Sequence, residues 1–219
     1  PVAMDTGVSS SDNITSVSAP RIVGSGTSAT DSVHILVDGV TVGTATANGS
    51  NWLFTLPSAL ADGTHAISAV ATDVAGNTGP TGPALTIVVD TTAPGTTGTP
   101  DLLASSDSGT SSTDNITNVS LPTVSGTGAT ANGLVQVLVG GVTVGSVTAS
   151  AAGAWTYTFT STLSAGTHAI TAVAQDVAGN SGPASTALNV VVDTTSATLA
   201  PPDLLAASDS GSSNTDNIT

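Results

Sequence analysis

The sequence contains no cysteine, no lysine and no glutamate, and Arg21 is its only basic residue. Without cysteine, disulfides and thiolate metal sites are excluded. Nucleic-acid binders neutralise phosphates with Lys and Arg, so that class is excluded, and anionic membrane surfaces are unsuitable partners. Long helices and coiled coils depend on Leu, Glu, Lys and Arg, which are scarce or absent, so a helical protein is not expected either.

Long hydrophobic runs are also missing. No run approaches the roughly 18 apolar residues that a membrane-spanning helix needs, so no membrane insertion is predicted. The first residues, Pro1 to Ser11, are polar and acidic, which is not the pattern of a signal peptide. We therefore interpret the 219 residues as a fragment of a longer chain.

What remains is an acidic chain of small residues. Fifteen aspartates and one arginine give a formal net charge of −14, yet only 7% of the residues are charged and 39% are hydrophobic. The mean hydropathy is +0.32. This combination is not that of a disordered chain, which has few apolar residues and a high density of charge.

An internal repeat organises the chain. The motif that contains Asp12 returns around Asp114 and Asp216, 102 residues apart each time, and Trp52 recurs as Trp155. A period of roughly 100 residues is too long for a solenoid, so each repeat is predicted to have its own core. We divide the chain into repeat 1 (1–94, its beginning slightly truncated), repeat 2 (95–195) and the opening of a third repeat (196–219).

Short strand signals separated by turns predict a β-sandwich in each repeat. The dipeptide 38–39, Asp-Gly, interrupts an alternating run and predicts a hairpin. Trp52, Phe54 and Leu56 alternate to one face of a further strand, with the tryptophan as the core anchor. The run 85–89 closes the repeat. About seven short strands with no helical period indicate an antiparallel sandwich.

Five motifs follow one another in repeat 2: Pro-Asp-Leu-Leu-Ala-Ser-Ser-Asp-Ser-Gly (100–109), Thr-Asp-Asn-Ile-Thr (113–117), Gly-Thr-His-Ala-Ile-Thr-Ala (166–172), Asp-Val-Ala-Gly-Asn (176–180) and Val-Val-Asp-Thr-Thr (191–195). In this order they resemble the bacterial immunoglobulin-like repeats of giant surface adhesins, which are biofilm-associated and type I-secreted proteins. The resemblance covers nearly the whole chain. It implies an all-β fold of tandem immunoglobulin-like antiparallel β-sandwiches without disulfides. It further implies a Ca²⁺-rigidified extender or stalk on the extracellular bacterial surface, which supports cell adhesion and biofilm formation, with neighbouring repeats of the same chain as partners.

The recurrent aspartates fall in three places in each repeat: the Asp-Val-Ala-Gly-Asn turn, the Val-Asp-Thr-Thr motif at its exit and the opening region. If the turn lies at the same end of the sandwich as the exit, these carboxylates converge where two repeats meet. Four like charges without Lys or Arg nearby repel one another, and Ca²⁺ with six to eight oxygen ligands relieves the repulsion. We therefore predict calcium ligands at a first junction (Asp73, Asn77, Asp90, Asp107, Asp114 and Asn115) and at a second (Asp176, Asn180, Asp193, Asp209 and Asp216).

Each aspartate taken alone is equally consistent with a turn former or a surface charge. Asp38 and Asp62 are interpreted as turn residues, because their counterparts Gly141 and Ala165 are not acidic.

No enzymatic site is predicted. His65 and its counterpart His168 are too few for a zinc site and are interpreted as exposed strand residues. The chain has no Gly-x-Ser-x-Gly elbow, and its few aromatics pattern as core.

Two other functions stay open at this point. Either the repeats themselves are the binding module and contact carbohydrate or protein, or they form an accessory region of a secreted enzyme. Other copies in a filament and host or matrix glycans are then additional partners. The tail from Ser196 either frays or donates a strand to the first repeat of another chain.

Overall fold

The computed structural model describes residues 4–205, 207–209, 213 and 215. The described residues form sixteen β-strands and no helix, so none of them lies in a helix long and apolar enough to cross a membrane. They enclose two separate hydrophobic cores, one around Ile35 in repeat 1 and one around Ile170 in repeat 2. The all-β class and the arrangement of tandem β-sandwiches predicted from the sequence are confirmed.

Repeat 1 has seven strands in two sheets. The larger sheet has the order β1-β7-β6-β3-β4, and the smaller sheet pairs β2 with β5. The strands are β1 (Ile14–Thr15), β2 (Arg21–Ser25), β3 (Ser32–Val37), β4 (Val40–Thr46), β5 (Asn51–Thr55), β6 (Gly63–Thr72) and β7 (Leu85–Val89).

Repeat 2 has nine strands and repeats this plan with two additions. Its larger sheet has the order β12-β11-β14-β16-β9, with β15 paired to β14, and its smaller sheet has the order β13-β10-β8. The strands are β8 (Asp101–Leu102), β9 (Ile116–Thr117), β10 (Thr123–Gly126), β11 (Leu134–Val139), β12 (Val142–Thr148), β13 (Trp155–Thr158), β14 (Gly166–Gln175), β15 (Ser181–Ala184) and β16 (Leu188–Val192).

The hairpin predicted at the Asp-Gly dipeptide joins β3 to β4. Asp38 and Gly39 have φ values of 51° and 80°, so both central residues are left-handed, as a tight hairpin turn requires. The counterparts in repeat 2 are both glycine, Gly140 and Gly141, also with positive φ. Asp tolerates this conformation better than most residues, so the same turn forms in repeat 1 with Asp38 in the position of Gly140.

Each tryptophan lies beside a glycine on the neighbouring strand. Trp52 is paired across the sheet with Gly24, and Trp155 is paired with Gly126. A Cβ atom on Gly126 would lie 2.5 Å from the indole ring of Trp155, so the ring occupies the space that a side chain would take. Trp155 is 3% exposed and anchors its core as predicted, whereas Trp52 is only half-buried.

The first strand of each repeat departs from the antiparallel pattern. β1 pairs in parallel with β7, and β9 pairs in parallel with β16. Because Ile14 lies opposite Val88, the loop before β1 is held at the end of β7, where the chain leaves the repeat. The opening of each repeat and its own exit therefore share one end of the sandwich.

Candidate functional site: the junction between the repeats

Two segments meet at the junction. We call residues 5–16 and 107–118 the opening loops, and residues 73–77 and 176–180 the docking turns. The docking turn of repeat 2 contacts the opening loop of repeat 1. The Thr6 hydroxyl donates a hydrogen bond to the Ala178 carbonyl at 2.6 Å, and the Val8 N–H donates to the Val177 carbonyl at 3.2 Å. Two consecutive backbone carbonyls of repeat 2 thus accept hydrogen bonds from repeat 1.

Asn180 adds a third bond across the junction. Its side-chain amide donates to the backbone carbonyl of Asp90 at 2.7 Å, and to the Asp176 carboxylate at 2.9 Å. The Asp176 carboxylate also accepts the backbone N–H of Asn180 at 2.9 Å. Asp176 therefore orients the amide that binds the exit of repeat 1.

Two glycines allow the backbones to approach. A Cβ atom on Gly7 would lie 2.0 Å from the Val177 carbonyl oxygen, and one on Gly179 would lie 3.0 Å from Gly7 Cα. Both glycines have positive φ, 91° and 96°. The junction consequently excludes side chains at these positions for steric and conformational reasons.

The two docking turns are alike internally and differ in what covers them. Asp176 is 4% exposed and Ala178 is fully buried, whereas the corresponding residues of repeat 1 are exposed. In repeat 1 the Asp73 carboxylate accepts the side-chain amide of Asn77 at 2.8 Å and the backbone N–H groups of Asn77 and Ala75. These bonds, that of the Asn77 amide first, hold the pKa of Asp73 below its ordinary value. The turn therefore forms without a docking partner.

Asp62 fastens the chain where it leaves repeat 1. Its carboxylate accepts hydrogen bonds from the Thr91 hydroxyl at 2.7 Å, the Thr92 hydroxyl at 2.8 Å and the Thr91 N–H at 3.0 Å. The two hydroxyls are the main cause of a lowered pKa of Asp62. The sequence predicts a turn residue at Asp62 and gives no sign of this contact. Repeat 2 has Ala165 at the corresponding position, so the aspartate does not recur.

The predicted grouping of carboxylates is wrong in one respect. The docking turn and the exit of the same repeat lie at opposite ends of the sandwich, because β6 and β14 are ten residues long and carry the chain about 33 Å. Gly63 at the start of β6 lies opposite Val89, while Asp73 follows its far end. Asp73 and Asn77 are therefore not brought to Asp90.

Asp90 instead lies beside the opening loop of its own repeat and the docking turn of the next. Its N–H donates to the Thr15 carbonyl at 2.9 Å, and its carbonyl accepts the Asn180 amide. Asp5 and Asp12, which the prediction omitted, belong to that opening loop.

Four other predicted ligands gather at the far end of repeat 2 and do not join Asp90. Asn115 donates its N–H to the Asp107 carboxylate at 3.2 Å, and its carbonyl accepts the Val191 N–H at 2.9 Å. The Asp193 N–H donates to Thr117 next to it, at 2.8 Å, and Asp114 accepts the N–H of Ile116 in the same loop. Asp176 and Asn180 are separated from this group by the length of β14. Asp209 is buried in the opening of the third repeat, and Asp216 lies outside the described residues.

One carboxylate in each opening loop has a buried oxygen with no hydrogen-bond partner. In Asp107, which is 5% exposed, this is Oδ1, and in the counterpart Asp5 it is the same atom. Repeat 2 contains no Lys or Arg. Burying a carboxylate oxygen without a donor or a cation is costly, so these positions are suited to a positive ligand. Among the described residues, no group of three or more His and Asp side chains is arranged to hold a metal ion by itself.

Away from the junction, one histidine has an ionic partner. His65 Nδ1 lies 2.7 Å from the Asp38 carboxylate, and Nε2 lies 2.9 Å from the Ala61 carbonyl. The Ala61 carbonyl and the Asp38 carboxylate raise the pKa of His65. In repeat 2, His168 keeps the corresponding bond to the Ser164 carbonyl, and the position equivalent to Asp38 is Gly140, which has no carboxylate to offer.

A family model described as a bacterial Ig-like domain matches residues 2–91 and again residues 94–194. No protein with a curated description matches the sequence.

Several solved structures are similar in fold. Fibronectin(III)-like modules of Clostridium thermocellum CbhA are 17% identical, with 82% of this chain and 87% of that chain covered and a TM-score of 0.47. A Ca²⁺-stabilized adhesin with which an Antarctic bacterium binds ice is 21% identical, with 90% and 51% covered and a TM-score of 0.42. A tetra-tandem repeat from the extending region of a large adhesion protein is 24% identical, with 87% and 48% covered and a TM-score of 0.34. The chain thus spans about half the length of these two adhesin structures.

Proposed function

Because the chain belongs to the bacterial Ig-like domain family, we propose that its repeats are non-enzymatic extender units of a bacterial cell-surface adhesin. The observation that carries this proposal is the docking of residues 176–180 onto the opening loop of the preceding repeat. Through this contact each repeat fixes the direction of the next. A row of such units holds a distal part of the protein away from the cell surface.

The docking surfaces are present at both free ends as well as at the junction. The docking turn of repeat 1 exposes Gly76, and the opening loop of repeat 2 exposes Gly109, and neither has another atom near the position of a Cβ. Their counterparts Gly179 and Gly7 are in contact at the junction. Each unit therefore offers a docking turn at one end and an opening loop at the other, which is what an extendable row requires.

Calcium at the opening loops is the second part of the proposal. The buried Oδ1 atoms of Asp107 and Asp5 fit a hard cation, since no donor or basic side chain neutralises them. Ca²⁺ would be held in repeat 2 by Asp107 with Asp114, Asn115 and Asp193, and at the junction by Asp5 with Asp12 and Asp90. A bound Ca²⁺ neutralises these carboxylates and ties the opening loop to the exit strand. Asp209 and Asp216 are the corresponding ligands of the third repeat, while Asp73, Asn77, Asp176 and Asn180 act in docking.

The expected energetic effect is considerable. Extracellular calcium modules have dissociation constants of about 10⁻⁴–10⁻³ M. At about 100 times the dissociation constant, one site adds about 2.7 kcal/mol to the free energy of unfolding. Filling such sites outside the cell would stiffen a chain that is loose in a low-calcium compartment.

Replacing Asp107 by Asn tests the calcium site, with Asp101→Asn as the control because Asp101 is exposed on β8. In EGTA we expect Asp107→Asn to unfold at the same or a higher temperature than the unmodified chain, because an unpaired buried charge is removed. In millimolar Ca²⁺ it should gain less than the control, and calorimetry should count one bound ion fewer. A melting temperature that does not respond to Ca²⁺, with no binding by calorimetry, would refute the calcium site and leave the extender role standing.

The extender role is tested separately by small-angle X-ray scattering of the full chain. If the junction is stiff, the maximum dimension of the chain is the same with and without 150 mM salt. If the repeats are freely jointed, the distribution of interatomic distances is broad. Broad distributions in both Ca²⁺ and EGTA would contradict the role.

A binding function for the repeats themselves has one observation in its favour. The half-buried Trp52 lines a groove of 810 Å³ with Met4, Arg21 and Leu53. Aromatic faces in such grooves are suited to carbohydrate rings. Saturable binding of the full chain on a glycan array, lost on adding free glycan, would establish this alternative.

A further inference from the structure

One carboxylate bridges two hydrogen-bond donors beside the β3–β4 hairpin of repeat 1. Oδ2 of Asp38 lies 2.7 Å from His65 Nδ1, and Oδ1 of Asp38 accepts the Ala66 N–H at 2.8 Å. His65 Nε2 lies 2.9 Å from the Ala61 carbonyl, which fixes the orientation of the ring. The imidazole and the neighbouring backbone N–H are thus spaced to take the two oxygens of a single carboxylate.

Repeat 2 keeps both donors and lacks the carboxylate. The histidine recurs as His168, with Nε2 2.8 Å from the Ser164 carbonyl, and the alanine recurs as Ala169. Gly140 takes the position of Asp38, and its N–H donates to the Ala169 carbonyl at 2.9 Å. Since the N–H and C=O of a strand residue point to the same side, the Ala169 N–H also faces the hairpin. We call His168, Ala169 and Gly140 the hairpin notch.

The hairpin notch has room for a ligand. A Cβ atom on Gly140 would have no other atom within 4 Å, so the position of the Asp38 side chain in repeat 1 is open in repeat 2. A groove of 360 Å³ adjoins it and is lined by His168. The lining of the groove combines apolar side chains such as Leu163 with the hydroxyl residues Ser161 and Thr162. Such a lining suits a molecule that has both apolar and polar surfaces.

His168 can donate a hydrogen bond from Nδ1 only when the imidazole is charged. The Ser164 carbonyl only accepts, so Nε2 carries a hydrogen. In the neutral ring Nδ1 is therefore an acceptor and repels a carboxylate, whereas in the imidazolium both nitrogens donate. A carboxylate consequently binds the hairpin notch together with a proton, and its binding weakens as the pH rises and the imidazolium loses that proton.

The polypeptide around the hairpin notch has lost its charged residues. Residues 13–72 of repeat 1 contain three aspartates and Arg21, whereas the corresponding residues 115–175 of repeat 2 contain no Asp and no Arg. This stretch supplies β9 to β14, and with them the hairpin and the loop before β14. Its one other titratable side chain is Tyr157, whose hydroxyl donates to the Val144 carbonyl at 3.0 Å.

The acidic residues at this end of repeat 2 lie away from the hairpin. Asp193 follows β16, and Asp107 and Asp114 belong to the opening loop before β9. In the larger sheet, β16 and β9 are on one side of β14, and the hairpin strands β11 and β12 are on the other. A carboxylate at the hairpin notch therefore meets little of the repulsion that the net charge of −14 exerts elsewhere.

A docked neighbouring repeat leaves the hairpin accessible. In repeat 1 the hairpin lies at the exit end of the sandwich, because Val37 pairs with Ile67 near the start of β6. Repeat 2 docks at this end, yet the Asp38 side chain stays 51% exposed and Val40 stays 67% exposed. A repeat that docks after repeat 2 in the same manner leaves the hairpin notch open.

We propose that the hairpin notch of repeat 2 binds an external carboxylate, with one oxygen on Nδ1 of protonated His168 and the other on the Ala169 N–H. Asp38 in repeat 1 is the tethered equivalent of this ligand. Small organic acids and carboxylated sugars share the required chemistry, and the groove favours the sugars because a ring would fill it. The site uses neither the docking turns nor calcium, so its failure would leave the extender role standing.

NMR spectroscopy of the full chain tests the proposal. Sodium acetate and sodium glucuronate are added separately at about pH 5.5, with sodium chloride at equal ionic strength and uncharged glucose as references. Both carboxylates should shift the Ala169 amide and His168 ring resonances saturably, and the dissociation constants should rise at least about tenfold by about pH 8. Ala66 and His65 are internal controls that should not respond, because Asp38 already occupies them.

Two substitutions exchange the roles of the repeats. Gly140→Asp supplies the carboxylate within the chain and should abolish the response of repeat 2. The backbone accepts this change, because Gly140 has a φ of 57° and Asp38 has a φ of 51°. Asp38→Gly should in turn make His65 respond to added carboxylate.

The two carboxylates distinguish the sources of the ligand. Tighter binding of glucuronate than of acetate would assign the site to carboxylated sugars, and equal binding would assign it to small acids without use of the groove. No response to either carboxylate, equal binding at the two pH values, or an unchanged response in Gly140→Asp would overturn the proposal. So would a response to glucose as large as that to glucuronate.

Discussion

Asn180 and Asn77 occupy the same position in two copies of one turn and differ by a single contact. Both side-chain amides bind the aspartate four residues earlier, at 2.9 and 2.8 Å. Only Asn180 also binds a carbonyl of the neighbouring repeat, at 2.7 Å. A comparison of the two residues therefore separates the energetics of the turn from those of the junction.

Replacing Asn180 by Ala should cost more than replacing Asn77 by Ala. Both changes remove the bond within the turn, and only Asn180→Ala leaves the Asp90 carbonyl without its donor, so the difference should be about 0.5–1.5 kcal/mol. Urea unfolding followed by tryptophan fluorescence gives both values. Equal losses would mean that the amide does not hold the junction.

The Asp38–His65 pair predicts a pH dependence confined to repeat 1. The Ala61 carbonyl and the Asp38 carboxylate raise the pKa of His65 in the folded state above its unfolded value. The stabilisation is then complete below the unfolded pKa of about 6.5 and is lost as the pH rises through the higher folded pKa. Asp38 also accepts the Ala66 N–H at 2.8 Å, and that bond and His65 lower its own pKa.

An NMR titration of the His65 ring follows this directly. Asp38→Asn should move the midpoint of His65 to lower pH, while Asp31→Asn, whose carboxylate accepts only the N–H of Ser28 three residues away, should not. An unchanged His65 midpoint in Asp38→Asn would show that the pair does not act on the imidazole.

At the scale of strands, the fold followed from alternation and turn chemistry, and the grouping of the site residues did not. The alternation of Trp52, Phe54 and Leu56, the hairpin at 38–39 and the strand β7 at 85–89 all agree with the structure. The predicted position of the docking turn, beside the exit of its own repeat, is wrong because a local motif does not state the direction of its strand. β6 and β7 are antiparallel, so the turn after one and the exit after the other lie at opposite ends.

Other features of the site were beyond sequence reasoning. The parallel pairing of β1 with β7 cannot be recognised from the residue pattern, yet it places the opening loop beside Asp90. The bond of Asp62 to Thr91 and Thr92 depends on a residue that repeat 2 lacks. Contacts between repeats, such as that of Thr6 with Ala178, join residues 172 positions apart and require the relative placement of two domains.

The glycine–tryptophan pairs give a prediction about the sheets. A Cβ atom on Gly126 would overlap the indole of Trp155, and one on Gly24 would overlap that of Trp52. Since Trp155 is enclosed and Trp52 has room to move, Gly126→Ala should destabilise its repeat by about 1–3 kcal/mol and Gly24→Ala by less. Thermal unfolding of the two variants gives the order, and the reverse order would contradict the difference in packing.

At the scale of the whole molecule, Gly7 and Gly109 test whether docking stiffens the pair. Both have positive φ, 91° and 105°, so replacement by Ala imposes similar backbone strain. Only at Gly7 does the added methyl group meet the next repeat. Gly7→Ala should therefore broaden the distribution of distances in small-angle scattering, while Gly109→Ala should leave it as in the unmodified chain. Identical profiles for the two variants would argue against a rigid junction.

The chemistry of the junction also bears on how such a protein changes its length. The contact uses backbone carbonyls, two glycines, a hydroxyl and one amide. The other copies of these segments have the same groups, in Ser108 and Gly109 of the second opening loop and in Val74, Ala75, Gly76 and Asn77 of the first docking turn. Strand and core residues are free to diverge without altering this set. Duplication or loss of one whole repeat in the gene therefore leaves the same contact surfaces at every remaining junction, and the length of the protein changes in steps of one repeat.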